Sequence, residues 1–199
     1  MKVVLATTNP GKLKEFNELS GGESWLEIVM APSGFGPAET GKTFIENAKI
    51  KAAEAARLTG MMSVADDSGL IVEALDGKPG IHSARYCEGS DADRARKVLE
   101  ETKNVADDRR QAAFMCAMVV CDPDGSVAFS TIRYWEGSLA REAKGTNGFG
   151  YDPIFVPRSK NVTAAELPTP EKNKISHRGQ AWVQVLSFLK KHQALLEKA

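Results

Sequence analysis

Asp66 and Asp67 are adjacent carboxylates at the end of a hydrophobic run, followed by Ser68-Gly69. One such carboxylate can ligate a hard divalent cation while its neighbour takes a proton from water, and Mg²⁺ is the natural ion for that donor set. Glu39, in a separate Pro/Gly-rich stretch, can complete the oxygen ligands. Vicinal aspartates before Ser-Gly also make ordinary turns. Thr7-Thr8-Asn9-Pro10-Gly11-Lys12 gathers two hydroxyls, an amide, helix-start N–H groups and a lysine in one arc, all able to meet phosphate oxygens. The same residues suit a helix cap, with Asn9 as N-cap and Pro10 at the first helical position, and the two roles are compatible. Residues 145–152, Gly-Thr-Asn-Gly-Phe-Gly-Tyr-Asp, combine flexible backbone with two aromatics and an acid, as a loop that stacks on a flat ring requires. Lys172, Lys174, Ser176, His177 and Arg178 cluster at the start of the last predicted helix. Positive charge is unfavourable there, so it calls for an anionic or carbonyl-rich ligand.

One further motif competes with these. Gly36-Pro37-Ala38-Glu39-Thr40-Gly41-Lys42-Thr43 matches the phosphate-loop pattern G-x-x-x-x-G-K-[ST], with a predicted strand before it and a helix after. Two physical objections weigh against it. Glu39 would place like charge inside a loop meant to wrap a polyphosphate, and residues 31–35 separate the strand from the first glycine, whereas a phosphate loop follows its strand directly.

These groups need elements to hold them. Residues 3–6 form a short apolar run, and Leu13, Phe16 and Leu19 recur at helical spacing until Gly21-Gly22. A second strand, 26–30, leads through a Pro/Gly loop to an Ala-rich helix over 43–58. Thr43 and Glu46 there fit a capping box, Phe44, Ala48, Ala52 and Ala55 form the buried stripe, and Gly60 closes the helix. Residues 61–65 and 70–75 are predicted as two strands flanking the aspartates. Ser90 and Asp93 make a second capping box for a helix from about 91 to 102. Residues 111–121 and 126–135 form a hairpin about Asp122-Pro123-Asp124-Gly125. After Ile154-Phe155-Val156 and a loop carrying Pro168 and Pro170, a helix from about His177 presents Trp182, Val185, Leu186 and Leu189 on one face. Lys190, Lys191 and Lys198 favour its C-terminal end. Strands alternating with helices early and a late hairpin predict an α/β protein with a mixed sheet.

Composition narrows the function classes. The 199 residues balance 26 Lys+Arg against 26 Asp+Glu, so no excess basic field exists for a nucleic-acid polymer. The longest wholly apolar run, 112–121, is far short of the ~20 residues that span a bilayer, and the N-terminal run is too short for a secretory leader. Cys87, Cys116 and Cys121 lack metal or redox spacing and are expected to be reduced thiols of a cytoplasmic protein.

With these loops assembled, the chain resembles the inosine triphosphate pyrophosphatase family along nearly its full length. The matching stretches are residues 8–12, 39–48, 65–70, 148–155 and 176–179, with Pro79-Gly80-Ile81-His82-Ser83-Ala84-Arg85-Tyr86 as a sixth. The first loop departs from the family pattern, with Thr8-Asn9-Pro10 where Gly-Asn is common. The resemblance implies a single domain over 1–199, two lobes around a long mixed sheet flanked by helices with the active site in the cleft between them, and a homodimer. It also implies Mg²⁺-dependent hydrolysis of inosine, deoxyinosine or xanthosine triphosphate to the monophosphate and pyrophosphate. Carried over by position, Thr7, Thr8, Asn9, Pro10, Gly11 and Lys12 would bind the triphosphate, Asp67 would accept the proton and Ser68 would touch substrate. Glu39, with Asp66 or Asp67, would hold the metal. Phe149, Gly150, Tyr151, Asp152, Lys172, His177 and Arg178 would hold the purine, Phe149 by stacking and Arg178 by donating to the 6-oxo group. The competing expectations are a phosphate-loop kinase or NTPase, a nucleotide-binding module without turnover, and an enzyme for a modified pyrimidine triphosphate.

Overall fold

A computed structural model of the protein describes residues 1–197; Lys198 lies outside the described residues. The chain forms a six-stranded mixed sheet, ordered β2-β1-β3-β4-β5-β6, flanked by helices. The strands are β1 Lys2–Leu5, β2 Glu27–Met30, β3 Ser63–Val72, β4 Gln111–Cys121, β5 Val127–Leu139 and β6 Phe155–Pro157. The principal helices are α1 Pro10–Leu19, α2 Phe44–Thr59, α3 Asp91–Glu101, α4 Thr169–Ile175 and α5 His177–Leu196. Two compact units share the three long strands. The first comprises Met1–Asp67, Cys116–Arg133 and Gly179–Ala199, the second Ser68–Met115 and Tyr134–Arg178.

In the first unit β1 runs parallel to β2, with Lys2 opposite Glu27 and Leu5 opposite Met30, and parallel to β3, with Leu5 opposite Val64. Parallel neighbours need crossover connections, and α1 and α2 supply them. Val3, Leu5, Val64, Met118 and Val120 from the strands pack with Phe16 of α1 and with Ala181, Trp182, Val185 and Leu189 of α5. Phe16 and Trp182 meet edge to face with centroids 4.7 Å apart, and the indole N–H of Trp182 donates to Ser20 Oγ at 3.0 Å. The buried aromatic thus keeps its polar atom satisfied.

Helix α2 forms where its spacing predicts. Phe44, Ala48, Ala52 and Ala55 are all buried, Thr43 Oγ1 accepts from the Glu46 N–H, and Gly60 takes the left-handed conformation (φ 65°) that a side chain would resist. The capping box is altered. The Glu46 carboxylate accepts from the N–H of Lys42, one residue before the cap.

Two expectations are corrected. The predicted strands flanking the aspartates are one continuous strand, β3, so Asp66 and Asp67 sit mid-strand instead of at a strand end. Leu70 and Val72 are buried and carry the strand past the polar residues, after which Glu73–Leu75 forms a single helical turn. The loop assigned to Pro168 and Pro170 holds α4, with Pro170 in its first turn where the missing N–H does no harm. Lys172 and Lys174 therefore belong to α4 and not to the last helix.

In the second unit, Leu70 and Val72 of β3, Ala95 and Val98 of α3, Phe114, Trp135 and Phe155 form a separate core. Ser90 and Asp93 complete a reciprocal capping box at the start of α3. The β4 to β5 turn closes through Asp122 N–H to Ser126 O at 2.9 Å, with Gly125 at φ 86°. Arg110 is buried and donates to the carbonyls of Thr102, Leu139 and Ala140, so three backbone oxygens hold its charge. The three cysteines are free thiols. No helix among the described residues is long and apolar enough to cross a membrane.

Candidate active site

Strand geometry separates the two aspartates, because neighbouring side chains on a strand point to opposite faces. Asp66 meets Lys12 of α1 at 2.8 Å. Asp67 meets Lys51 of α2 at 3.3 Å, and the same ammonium lies 2.8 Å from Glu39. Glu39 and Asp67 thus converge on one cation, while Asp66 is engaged beside the first loop.

Lys51, which pairs with both Glu39 and Asp67, is a candidate site residue that the sequence alone did not mark. It and Asn47 stand four residues apart in the Ala-rich helix, on one face and bordering the buried stripe, and a polar pair there is the signal that could have found them. Asn47 is fully buried, and its side-chain oxygen accepts from the Gly41 N–H at 2.9 Å.

Burial pushes the Asp67 carboxyl above its ordinary range; the Lys51 ammonium opposes that, and the charges of Glu39 and Asp66 reinforce it. Burial alone would lower Lys51, but attraction to Asp67, Asp66 and Glu39 outweighs it and holds the ammonium above its usual value. Asp67 Oδ2 is buried and completes no hydrogen bond among the described residues, nor does the Asn47 side-chain nitrogen. The Asn47 amide and the Lys51 ammonium both favour the ionised carboxylate, and an enclosed oxygen beside Glu39 with no hydrogen bond of its own among the described residues fits a hard divalent cation. Among the described residues no group of three or more His, Cys, Asp or Glu side chains is placed to hold a metal, so a cation here needs further oxygens from solvent or substrate.

A carboxyl raised in the fold favours its protonated form, so its contribution to stability is present below its unfolded pKa and is lost as pH rises through the folded value. NMR titration of the Asp67 carboxyl carbon in the metal-free protein is expected to give a midpoint above 3.8. In Lys51→Met the midpoint moves higher still, because the one opposing charge is gone. A midpoint at or below 3.8 in the parent protein contradicts this ordering of forces.

The first loop is a cap with spare capacity. Asn9 Oδ1 accepts from the Gly11 N–H at 2.8 Å, Thr7 Oγ1 accepts from the Asn9 N–H at 3.1 Å, and Pro10 opens α1. Thr8, Asn9, Pro10 and Gly11 are exposed, so the positive end of α1 is open to an anion.

The phosphate-loop motif is filled from within. The Gly41 N–H is taken by Asn47 and the Lys42 N–H by Glu46, and Lys42 itself is exposed. Two N–H groups that a phosphate loop would offer to its ligand are therefore already taken by side chains of α2.

In the second unit the predicted ring-binding residues come together. Phe149, flanked by Gly148 (φ 73°) and Gly150 (φ 62°), leaves about half its surface exposed (53%). Lys172 Nζ stands 4.8 Å and Arg178 Cζ 5.3 Å from the centre of its ring. Asp152 is buried, pairs with the buried Lys172 and accepts from the Phe149 N–H at 2.8 Å. His177 is buried and stacks on Phe114 with ring centroids 4.8 Å apart and planes 5° apart. Tyr151 plugs the core and donates to Ser83 O at 2.8 Å, which ties in the 79–86 stretch. Ser68 follows Asp67 on β3, at the first position of the second unit.

Comparisons with known proteins place the chain in a family. Residues 3–188 match the model of the Ham1 family. The chain is 47% identical over 196 residues to the dITP/XTP pyrophosphatase of Shigella flexneri, covering 95% of this chain and 98% of that one. It is 43% identical to the dITP/XTP pyrophosphatase of Bacillus licheniformis, covering 100% and 99%. Among solved structures, a HAM1 protein from Coxiella burnetii superposes with a TM-score of 0.86 at 42% identity, covering 96% of this chain and 99% of that one. A Mycobacterium abscessus nucleoside-triphosphatase / dITP/XTP pyrophosphatase gives 0.76 at 44% identity, covering 94% and 99%. A family match across most of the chain, joined to full-length relatives above 40% identity, means that this chain belongs to the Ham1 family.

Proposed function

We propose that the protein hydrolyses non-standard purine nucleoside triphosphates (ITP, dITP, XTP) to the monophosphate and pyrophosphate, as a single Mg²⁺-dependent domain, and that it acts as a cytoplasmic homodimer that cleanses the nucleotide pool. The observation that carries the reading is Asp67: a half-buried carboxylate whose Oδ2 is enclosed and makes no hydrogen bond among the described residues, raised by desolvation and set beside Glu39 and Lys51. The names of the full-length relatives support the substrate class.

The triphosphate falls to residues of the first unit. Thr7 through Gly11 offer N–H and hydroxyl groups at the positive end of α1, and Lys12 and Lys51 offer charge. Glu39 and Asp67 would hold Mg²⁺, with Asp66 at hand through Lys12. When bound, the ion neutralises phosphate charge and polarises the α-phosphorus for attack. Asp67 takes the proton of an in-line water, and pyrophosphate leaves. Ser68 contacts the substrate next to the base catalyst.

The base falls to residues of the second unit. Phe149 stacks, Gly150, Tyr151 and Asp152 shape the loop, His177 completes the aromatic wall, and Lys172 and Arg178 present cations. Arg178 donates to O6 of a 6-oxopurine; adenine's amino group would leave that donor unpaired, which costs about 1–3 kcal/mol.

Product analysis with Mg²⁺ and inosine, xanthosine, adenosine and guanosine triphosphates tests the reading. Inosine monophosphate with pyrophosphate, and little turnover of adenosine triphosphate, is the expected result. Diphosphate with orthophosphate would overturn it in favour of β–γ cleavage, preference for a modified pyrimidine triphosphate would move the substrate class, and binding without turnover would leave a nucleotide-binding module.

The variants order accordingly. Lys42→Ala, at an exposed side chain, is expected to change kcat/KM by no more than about twofold, the equivalent of roughly 0.5 kcal/mol. Glu39→Gln is expected to reduce it by orders of magnitude and to raise the Mg²⁺ requirement. The reverse ranking would restore the phosphate-loop reading.

A further inference from the structure

Phe149 is held by its backbone. Its ring is half exposed, both neighbours are left-handed glycines, and the loop flanks a hollow of about 480 Å³ that Asp91, Ala95, Leu99 and Phe149 help to line. Little packing therefore fixes the height and tilt of the ring, and the hydrogen bonds around it must. Most of these come from nearby in the same unit's loops. Asp152 takes the Phe149 N–H, the Asp152 N–H returns to the Phe149 carbonyl at 3.2 Å, and Asn147 reaches Ala165 O and Leu167 O. The Gly150 N–H instead donates to Asp91 Oδ2 at 2.8 Å, from a carboxylate 59 residues away on α3.

Asp91 has no capping duty to explain it. Ser90 and Asp93 already close the start of α3, each accepting from the other's N–H, and leave the Asp91 carboxylate for other partners. Its Oδ1 pairs with Arg94, whose guanidinium also donates to Gly89 O at 2.8 Å. Oδ2 is thereby aimed at the loop. The positive end of α3 and the Arg94 charge keep this carboxylate ionised, which strengthens a hydrogen bond to a backbone N–H.

We propose that Asp91 is a positioning residue for base recognition: its carboxylate latches Gly150 to the start of α3 and so sets Phe149 against the purine. This rests on the substrate reading above and adds to it a determinant outside the ring-binding residues. Because the latch acts on the bound base alike in ground and transition states, its loss raises KM and leaves kcat nearly unchanged.

The test compares the parent protein with Asp91→Ala and Asp91→Asn, using dITP and dATP. Asp91→Ala is expected to raise KM for dITP roughly tenfold with kcat within about threefold, and to lower the dITP over dATP preference by a similar factor. Asp91→Asn keeps an acceptor oxygen for the Gly150 N–H and is expected to recover KM to within about threefold of the parent. Amide hydrogen exchange supplies a readout independent of turnover. The Gly150 N–H exchanges faster in Asp91→Ala than in the parent or Asp91→Asn, while the α3 amides beyond the first turn keep their protection. An unchanged KM and unchanged Gly150 exchange in Asp91→Ala would overturn the proposal, as would equal damage in both variants, since charge at the helix start would then be the cause. A parent protein that leaves dITP intact would overturn the substrate reading instead, and the exchange data would still decide whether the latch exists.

Discussion

Asp67→Asn is expected to lower kcat for dITP by about 10²–10⁴-fold, the range that a positioned general base contributes. The amide matches the carboxylate in shape but accepts no proton from water, so substrate binding through the first loop, Lys12 and the base residues survives. The melting temperature separates this from simple unfolding. Burial raises the Asp67 carboxyl, which means that its ionised form opposes folding near pH 7. A neutral isostere removes that opposition, and Asp67→Asn is expected to melt no lower than the parent protein. Lost activity with unchanged or improved stability is the signature of a group kept for chemistry at the expense of the fold. Full activity in the variant, measured as pyrophosphate release, would remove Asp67 from the reaction.

Asp152→Ala has the largest expected effect on the second unit. Asp152 and Lys172 are both buried and paired, and Asp152 also accepts from the Phe149 N–H. Removing one partner of a buried pair strands the other charge and costs about 3–5 kcal/mol, a fall in melting temperature of roughly 6–20 °C for a chain of this size. The base loop loses its inner anchor as well, so surviving enzyme is expected to discriminate poorly between dITP and dATP. Asp152→Asn, which keeps an acceptor but not the charge, falls between the parent and Asp152→Ala in both measurements. A variant as stable and selective as the parent would show that the pair contributes neither.

The two variants report on different kinds of information in the chain. The turn of residues around Asn9, the stripe of Phe44, Ala48, Ala52 and Ala55, the Gly60 stop and the Ser90 cap were legible because each depends on neighbours three or four positions away. The aspartate pair was legible as chemistry, but the strand was ended at it, since Asp-Asp-Ser-Gly has a polar composition that usually interrupts strands. Val64 and Ala65 before it and Leu70 and Val72 after it are buried, and that burial draws the polar residues into one strand. α4 was hidden by its prolines, which break helices in the interior but open them at the first turn.

The motifs and their order carried the family resemblance, and through it the class of reaction, and they marked the candidate residues: acids for metal and proton, a capped phosphate arc, a glycine-flanked aromatic and a basic cluster. Tertiary structure alone decided which of them act together. Strand alternation gives Asp66 an ion pair with Lys12 and Asp67 one with Lys51, although both carboxylates attract Lys51. Asn47 and Glu46 close the phosphate-loop motif from inside. Asp91 reaches Gly150 across 59 residues. The reason is physical: caps and stripes are set by local backbone geometry, whereas the partner of a buried charge is set by which distant segments the hydrophobic cores bring into contact, and no spacing in the chain encodes that distance.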